Sequence, residues 1–251
     1  MKVGDVEVGR IGLGTNRLTR SRQSVAFMRA AVESGVRMID TAHLYTNGQS
    51  EETIAEALSP YPDNIVVATK GGFGGAGRGR PEVLRREIEE SLRRLKSTTI
   101  ALYYLHRVDP ETPIEESLVV IKEYRDRGAI RHVGVSEVTV PQVERARMVV
   151  PIVAVQNQYS LSERKHDPVV DYCEREGIVF VPFYPLRGGG GKELAAIARR
   201  HGASREQIML AWLLRRSPAM LPIPGTLSLE HLRENLAADQ IQLTDAEFTA
   251  L

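Results

Sequence analysis

Asp40, Tyr45, Lys70 and His106 are the residue types of a proton-donating set. The phenol can give up a proton, the ammonium and carboxylate can set its acidity, and the imidazole can hold the acceptor. Their positions matter as much as their types. Asp40 closes Met38-Ile39-Asp40, Lys70 closes Ile65-Val66-Val67-Ala68-Thr69-Lys70, His106 closes Leu102-Tyr103-Tyr104-Leu105-His106, and Tyr45 follows Asp40 by five residues. In a barrel of alternating strands and helices the C-terminal strand ends converge on one mouth, so such residues meet although they lie far apart in sequence.

The elements that would place them there are legible as a rhythm. Short β-rich apolar runs at 10–13, 36–39, 65–69, 100–105, 130–135, 152–155, 178–183 and 219–223 alternate with longer charged segments of helical period. Pro81, Pro113 and Pro141 open helices, with helical stretches at 82–95 and 114–127 and Gly128 as a stop. Two helices, 193–201 and 205–215, fit between the last two strands, the second with Ser204 as its cap. Eight parallel strands predict a closed (β/α)8 TIM barrel, an α/β fold occupying residues 1–251 as one domain.

Composition narrows the function classes. Net charge is +1 from 33 basic and 32 acidic residues with no block of one sign, so electrostatics points to neither nucleic acid nor an anionic membrane. The lone Cys173 can form no internal disulfide, and no apolar run approaches the roughly 20 residues that span a bilayer. Met1-Lys2-Val3-Gly4-Asp5 does not begin a signal peptide, so a cytoplasmic protein is expected, monomeric or weakly self-associating. No metal-ligand spacing occurs, so no metal is expected.

Each polar residue also has a plainer reading. Asp40 could cap the next turn, Lys70 could run its stem out to solvent beside Gly71-Gly72, Tyr45 could simply pack in a loop, and His106 could serve structure. Together on adjacent strand ends they favour chemistry. A Schiff-base lysine is a rival use of Lys70, but a tyrosine and a histidine beside it fit hydride transfer better.

The chain resembles the aldo-keto reductase superfamily from Gly12-Leu13-Gly14-Thr15 to Glu234-Asn235. The matching stretches between them are Met38-Ile39-Asp40-Thr41-Ala42 with Tyr45, Val67-Ala68-Thr69-Lys70, Leu102-Tyr103-Tyr104-Leu105-His106, Gly134-Val135-Ser136, Val155-Gln156-Asn157-Gln158-Tyr159 and Ile223-Pro224-Gly225-Thr226. The order and spacing make the resemblance specific, and it is closest to a short bacterial branch. It implies reduction of aldehyde or ketone carbonyls with NADPH, NADH being possible, and a catalytic tetrad of Asp40, Tyr45, Lys70 and His106. Tyr45 would be the proton donor, eased by Lys70, which Asp40 holds, while His106 would orient a small carbonyl substrate. Some relatives instead sense cofactor as subunits of other proteins, the alternative role.

The resemblance also implies the cofactor contacts. Gly14 and Thr15 would lie beside the nicotinamide ribose, Ser136 and Gln156 would hold the carboxamide with Glu137 beside the nicotinamide site, and Phe183 would stack on the ring with Tyr184 and Leu186 in the loop after it. Loops after strands seven and eight often bind phosphate in barrels. Here these are Arg187-Gly188-Gly189-Gly190-Gly191 and Pro224-Gly225-Thr226, with Thr226 and His231 expected at the 2′-phosphate and Glu234 and Asn235 at the adenine. Three departures stand out: Gly225 replaces a common lysine, His231 a common arginine, and Glu137 a common asparagine. An ionised Glu137 facing the ring would favour the oxidised nicotinamide; turned to a neighbouring arginine, Arg131 or Arg164, it would be structural. Tyr184 replaces a small serine, and the ending at Leu251 leaves no long tail over the pocket.

Overall fold

Apolar runs with no polar face become strands covered on both sides, and here they pair in chain order. The computed structural model describes residues 1–188 and 191–251. A short antiparallel hairpin, β1 (Lys2–Val3) and β2 (Val6–Glu7), precedes the main sheet. The sheet runs β3 (Leu13–Gly14), β4 (Met38–Asp40), β5 (Val66–Gly71), β6 (Ile100–Leu105), β7 (Ile130–Ser136), β8 (Ile152–Gln156) and β9 (Val179–Phe180), every neighbouring pair parallel. Helices α1 (Arg22–Glu33), α2 (Gln49–Leu58), α3 (Pro81–Arg94), α4 (Ile114–Asp126), α5 (Val140–Val149) and α6 (Asp167–Glu176) connect successive strands. They are followed by α7 (Lys192–His201), α8 (Arg205–Arg216), α9 (Leu229–Ala237) and α10 (Asp245–Ala250). The Ser204 hydroxyl accepts the Gln207 N–H at 3.2 Å, the cap expected for α8.

Two of the eight expected strands are cut short and one does not form. The run 178–183 is a strand only at Val179–Phe180, and the run 10–13 pairs only as Leu13–Gly14. The run 219–223 is not a strand, which corrects the expected closed barrel of eight to a curled parallel sheet of seven. The reason lies in the prolines: Pro182, Pro222 and Pro224 have no N–H to donate to a ladder. What remains between the two sheet edges is a set of separate contacts. Phe180 donates to Ala219 O and Leu221 to Phe180 O, both at 2.9 Å, while Gly12 donates to Pro222 O at 2.9 Å and Gly14 to Pro224 O at 3.2 Å.

The side chains divide into two clusters. Inside the curl, Val66, Ala68, Leu102, Tyr104 and Ala154 meet Val3, Val6 and Val8 of the hairpin. Asp5 at the hairpin tip lies 2.6 Å from His132 near the start of β7, so the hairpin covers the end of the curl opposite Ser136. Outside, the helices bury the larger cluster against the sheet. One cluster closes the floor and the other holds the strands, leaving the C-terminal strand ends open. Among the described residues no helix is long and apolar enough to cross a membrane.

Candidate active site

Parallel register brings Asp40, the last residue of β4, beside Ala68, and Lys70 of β5 beside Tyr104. Lys70 and Asp40 are almost wholly buried, where unpaired charges are costly, and they satisfy each other: Nζ donates to Asp40 Oδ1 at 2.6 Å and to Thr41 O at 2.7 Å. The second Asp40 oxygen accepts the Gln156 amide at 2.7 Å. The third lysine donor direction points at the Tyr45 hydroxyl, 3.3 Å away.

Tyr45 opens a 3-10 turn, Tyr45–Gly48, in which Thr46 and Asn47 have φ of 48° and 55°. The left-handed backbone is fixed from outside by the Thr46 hydroxyl, which donates to Leu18 O at 2.7 Å. Burial raises the Tyr45 pKa above the ordinary tyrosine value, with Lys70 opposing. Lys70 acts in the expected direction, making the proton easier to lose, but it offsets burial without overcoming it, and the phenol is protonated at neutral pH. Burial alone would strip Lys70 of its proton, but Asp40 and Tyr45 outweigh it and the pKa is raised. A raised pKa disfavours the free amine that a Schiff base needs.

His106 follows β6 and is 5 % exposed. Burial, then Lys70 and Arg107, push its pKa well below the ordinary value, so the ring is neutral and can donate from one nitrogen only. Its Nδ1 is buried without a hydrogen-bond partner among the described residues. Tyr45 and His106 meet edge to face with ring centres 6.2 Å apart.

These side chains border a cavity of about 770 Å³. Asp40, Tyr45, His106, Gly14, Thr15, Gln156, Phe183, Tyr184, Leu186, Pro224 and Gly225 reach its wall, as the sequence reading expected. Lys70 lies behind Tyr45 and does not. Seven expected contacts also stand back from the wall. Ser136 is covered by Arg107, whose Nη1 donates to its hydroxyl at 3.0 Å. The Thr226 hydroxyl accepts the Ser228 N–H at 3.0 Å just before α9, His231 and Glu234 are exposed on that helix, and Asn235 is buried in it. Gly188 has φ +80°, and a Cβ there would lie 1.9 Å from Ser162 Oγ, so the glycine answers a packing need. Gly189 and Gly190 of the expected phosphate loop lie outside the described residues. The Gln156 amide nitrogen, expected at a carboxamide, gives one of its two donors to Asp40.

Glu137 is the seventh. It has φ +53°, a region that asparagine tolerates better than glutamate, and its carboxylate accepts the Gln158 N–H at 2.6 Å. Lys165 and His166 lie 3.8 Å away. Burial opposes ionisation there, but His166, the Gln158 N–H and Arg107 outweigh it and hold the pKa at about 2. Neither arginine expected as partner is involved: Arg131 pairs with Asp5 and Arg164 donates to Leu251 O at 2.7 Å.

Of the lining residues that sequence reading did not name as site residues, four bear on the site. Phe73 packs on His106 with ring centres 4.7 Å apart, Arg107 enters the cavity directly after His106, Arg187 borders the loop after β9, and Arg17 donates to Gly225 O at 3.2 Å. Three are cations, and a polar residue just past a strand end was the available signal for Arg107.

The sequence matches the aldo/keto reductase family over residues 10–192 and 190–251. The chain belongs to that family. It is 35% identical over 276 residues to the pyridoxine 4-dehydrogenase of Escherichia coli, covering 99% of this chain and 96% of the relative. A thermostable aldo-keto reductase solved with the inhibitor epalrestat superposes with TM-score 0.91 at 31% identity, over 100% of this chain and 97% of that one. An aldo/keto reductase from Klebsiella pneumoniae, solved with NADP and acetate, gives 0.85 at 28% identity over 97% and 90%. As an aldo/keto reductase the chain is an oxidoreductase by family, with a curled α/β fold whose strand ends open on one cavity. Among the described residues no group of three or more His, Cys, Asp or Glu could hold a metal ion.

Proposed function

We propose that this aldo/keto reductase reduces aldehyde or ketone carbonyls to alcohols with NADPH, Tyr45 acting as the general acid. The observation that carries the reading is the buried Lys70–Asp40 pair with its ammonium 3.3 Å from the Tyr45 hydroxyl, which in turn borders the cavity. We also propose that residues 1–251 act as one domain, and the hydrogen bonds of segment 219–224 to both sheet edges support that reading.

A dinucleotide fits the residues present. The cavity is of ligand size, its wall carries the cations Arg17 and Arg187, and among the described residues its one carboxylate, Asp40, is already paired. The Klebsiella relative carries NADP, which supports the same cofactor class here. When bound, NADPH supplies a hydride to the carbonyl carbon. Tyr45 gives its proton to the carbonyl oxygen as negative charge develops there, and Lys70 stabilises the phenolate left behind. The neutral His106 donates a hydrogen bond that orients the carbonyl. Phe73, Phe183 and Tyr184 form the apolar wall beside it.

Two outcomes test the arrangement. Because the Tyr45 pKa is raised, the acid stays protonated through neutral pH, and because the His106 pKa is depressed, the ring never charges there. The reductive kcat/KM is therefore level from about pH 6 upward and declines only above the ordinary tyrosine range near ~10. A half-loss near pH ~6.5, the ordinary histidine value, would contradict a neutral His106. In the cofactor site, Arg17 stands beside Gly225, where the sequence showed a missing cation. An exposed charge of this kind keeps NADPH ahead of NADH by about tenfold in Kd, less than a buried contact would give. Nicotinamide fluorescence titration measures it, and equal values for the two cofactors would reject the preference.

A further inference from the structure

One guanidinium inside the cavity has no part in the mechanism. Arg107 is half-buried, and its Nη1 donates to His106 O at 2.6 Å and to Ser136 Oγ at 3.0 Å. Its carbon lies 5.3 Å from the centre of the Phe73 ring and 5.5 Å from that of Phe183, so two aromatic faces fix it in place. Among the described residues it forms no ion pair. Glu137, the carboxylate whose charge acts on it, is committed to the Gln158 N–H. A cation held in a partly dry wall, with Glu137 acting on it only at a distance and no carboxylate paired to it among the described residues, is an anion site in waiting.

The unused part of the guanidinium narrows the anion. Both hydrogen bonds use Nη1, which leaves the Nε–Nη2 edge, the planar fork that matches the two oxygens of a carboxylate. Around it the rim is apolar: Leu44, Phe73 and Tyr184 are 39%, 40% and 52% exposed. We propose that the preferred substrates are carbonyl compounds that carry a carboxylate on a flat apolar body, the carboxylate pairing with Arg107 while the carbonyl faces Tyr45 and His106. Arg107 is then a specificity residue. The inference rests on the reductase reading above and goes further in naming the substrate class.

The test compares 4-carboxybenzaldehyde with its methyl ester, methyl 4-formylbenzoate, using NADPH. The ester is the more electrophilic aldehyde, so a preference for the acid cannot come from intrinsic reactivity. Wild type should favour the acid by about ten- to hundredfold in kcat/KM, carried by KM, the worth of a charge-assisted contact. Arg107→Met should bring the ratio to about one or below, and Arg107→Lys, with a charge but no fork, should keep part of it. Since Arg107 also supports His106 O and Ser136 Oγ, thermal melting confirms that each variant is folded. Calorimetric binding of 4-carboxybenzyl alcohol then reads the site without turnover, and its loss in the Met variant with partial rescue by Lys is expected. A wild type that reduces the ester as well as the acid, or an Arg107→Met variant that keeps the preference, overturns the inference and leaves the reductase reading standing. If neither aldehyde consumes NADPH, both fall.

Discussion

Tyr45→Phe should keep the fold and bind NADPH normally while turnover of 4-nitrobenzaldehyde falls by ~10²- to 10⁴-fold, the usual worth of a positioned general acid. The ring contacts survive the change, including its edge-to-face packing on His106 and the lysine 4.8 Å from its centre. Only the hydroxyl is lost, and with it the proton. The loss should appear in kcat, because the hydroxyl acts where charge develops on the carbonyl oxygen. Near wild-type rates for the Phe variant would mean that the proton comes from elsewhere.

Lys70→Met should cost a comparable ~10²- to 10⁴-fold in turnover although the tyrosine is still present. Without the ammonium, burial at Tyr45 loses its main opponent, and the phenolate loses its stabilising neighbour. This variant also leaves Asp40 buried without its cation, which typically costs about 3–5 kcal/mol. The Gln156 amide and protonation of Asp40 both limit that cost. Asp40→Asn combined with Lys70→Met should therefore recover much of the melting temperature and none of the activity. If the double variant recovered activity together with stability, Lys70 would be a structural residue only.

The proton-donating set was the most legible part of this chain because each member sits at a strand end, a position that periodicity reveals. Asp40, Lys70 and His106 needed only the strand register to meet, and β4, β5 and β6 supply it. Tyr45 required more. Its place depends on a turn with left-handed backbone at Thr46 and Asn47, and in the sequence only its type and its distance of five residues from Asp40 marked it before the family resemblance did.

Where sequence reading failed, the causes were local. The run 219–223 is apolar and looks like a strand, yet Pro222 with Pro224 beyond it interrupts the donors a ladder needs, so the segment bridges the sheet edges by separate hydrogen bonds. Around the expected cofactor loop the Thr226 hydroxyl accepts the Ser228 N–H in the turn before α9, and His231 and Glu234 face solvent. Glu137 defeated a reading based on type alone, since its partner is a backbone N–H. Arg107 carries no sequence signal beyond following His106, and only the folded chain shows it held by two Nη1 hydrogen bonds between Phe73 and Phe183.

The central claim is hydride transfer from a nicotinamide to a carbonyl carbon in the cavity bordered by Tyr45 and His106. It is tested most directly with NADPH carrying two deuterium atoms at nicotinamide C4, incubated with 4-nitrobenzaldehyde and the wild-type chain, the alcohol then being analysed by mass spectrometry. The account predicts one deuterium on the carbinol carbon, at a rate that collapses in Tyr45→Phe. Alcohol without deuterium, or aldehyde left unreduced while the cofactor is bound, would contradict it.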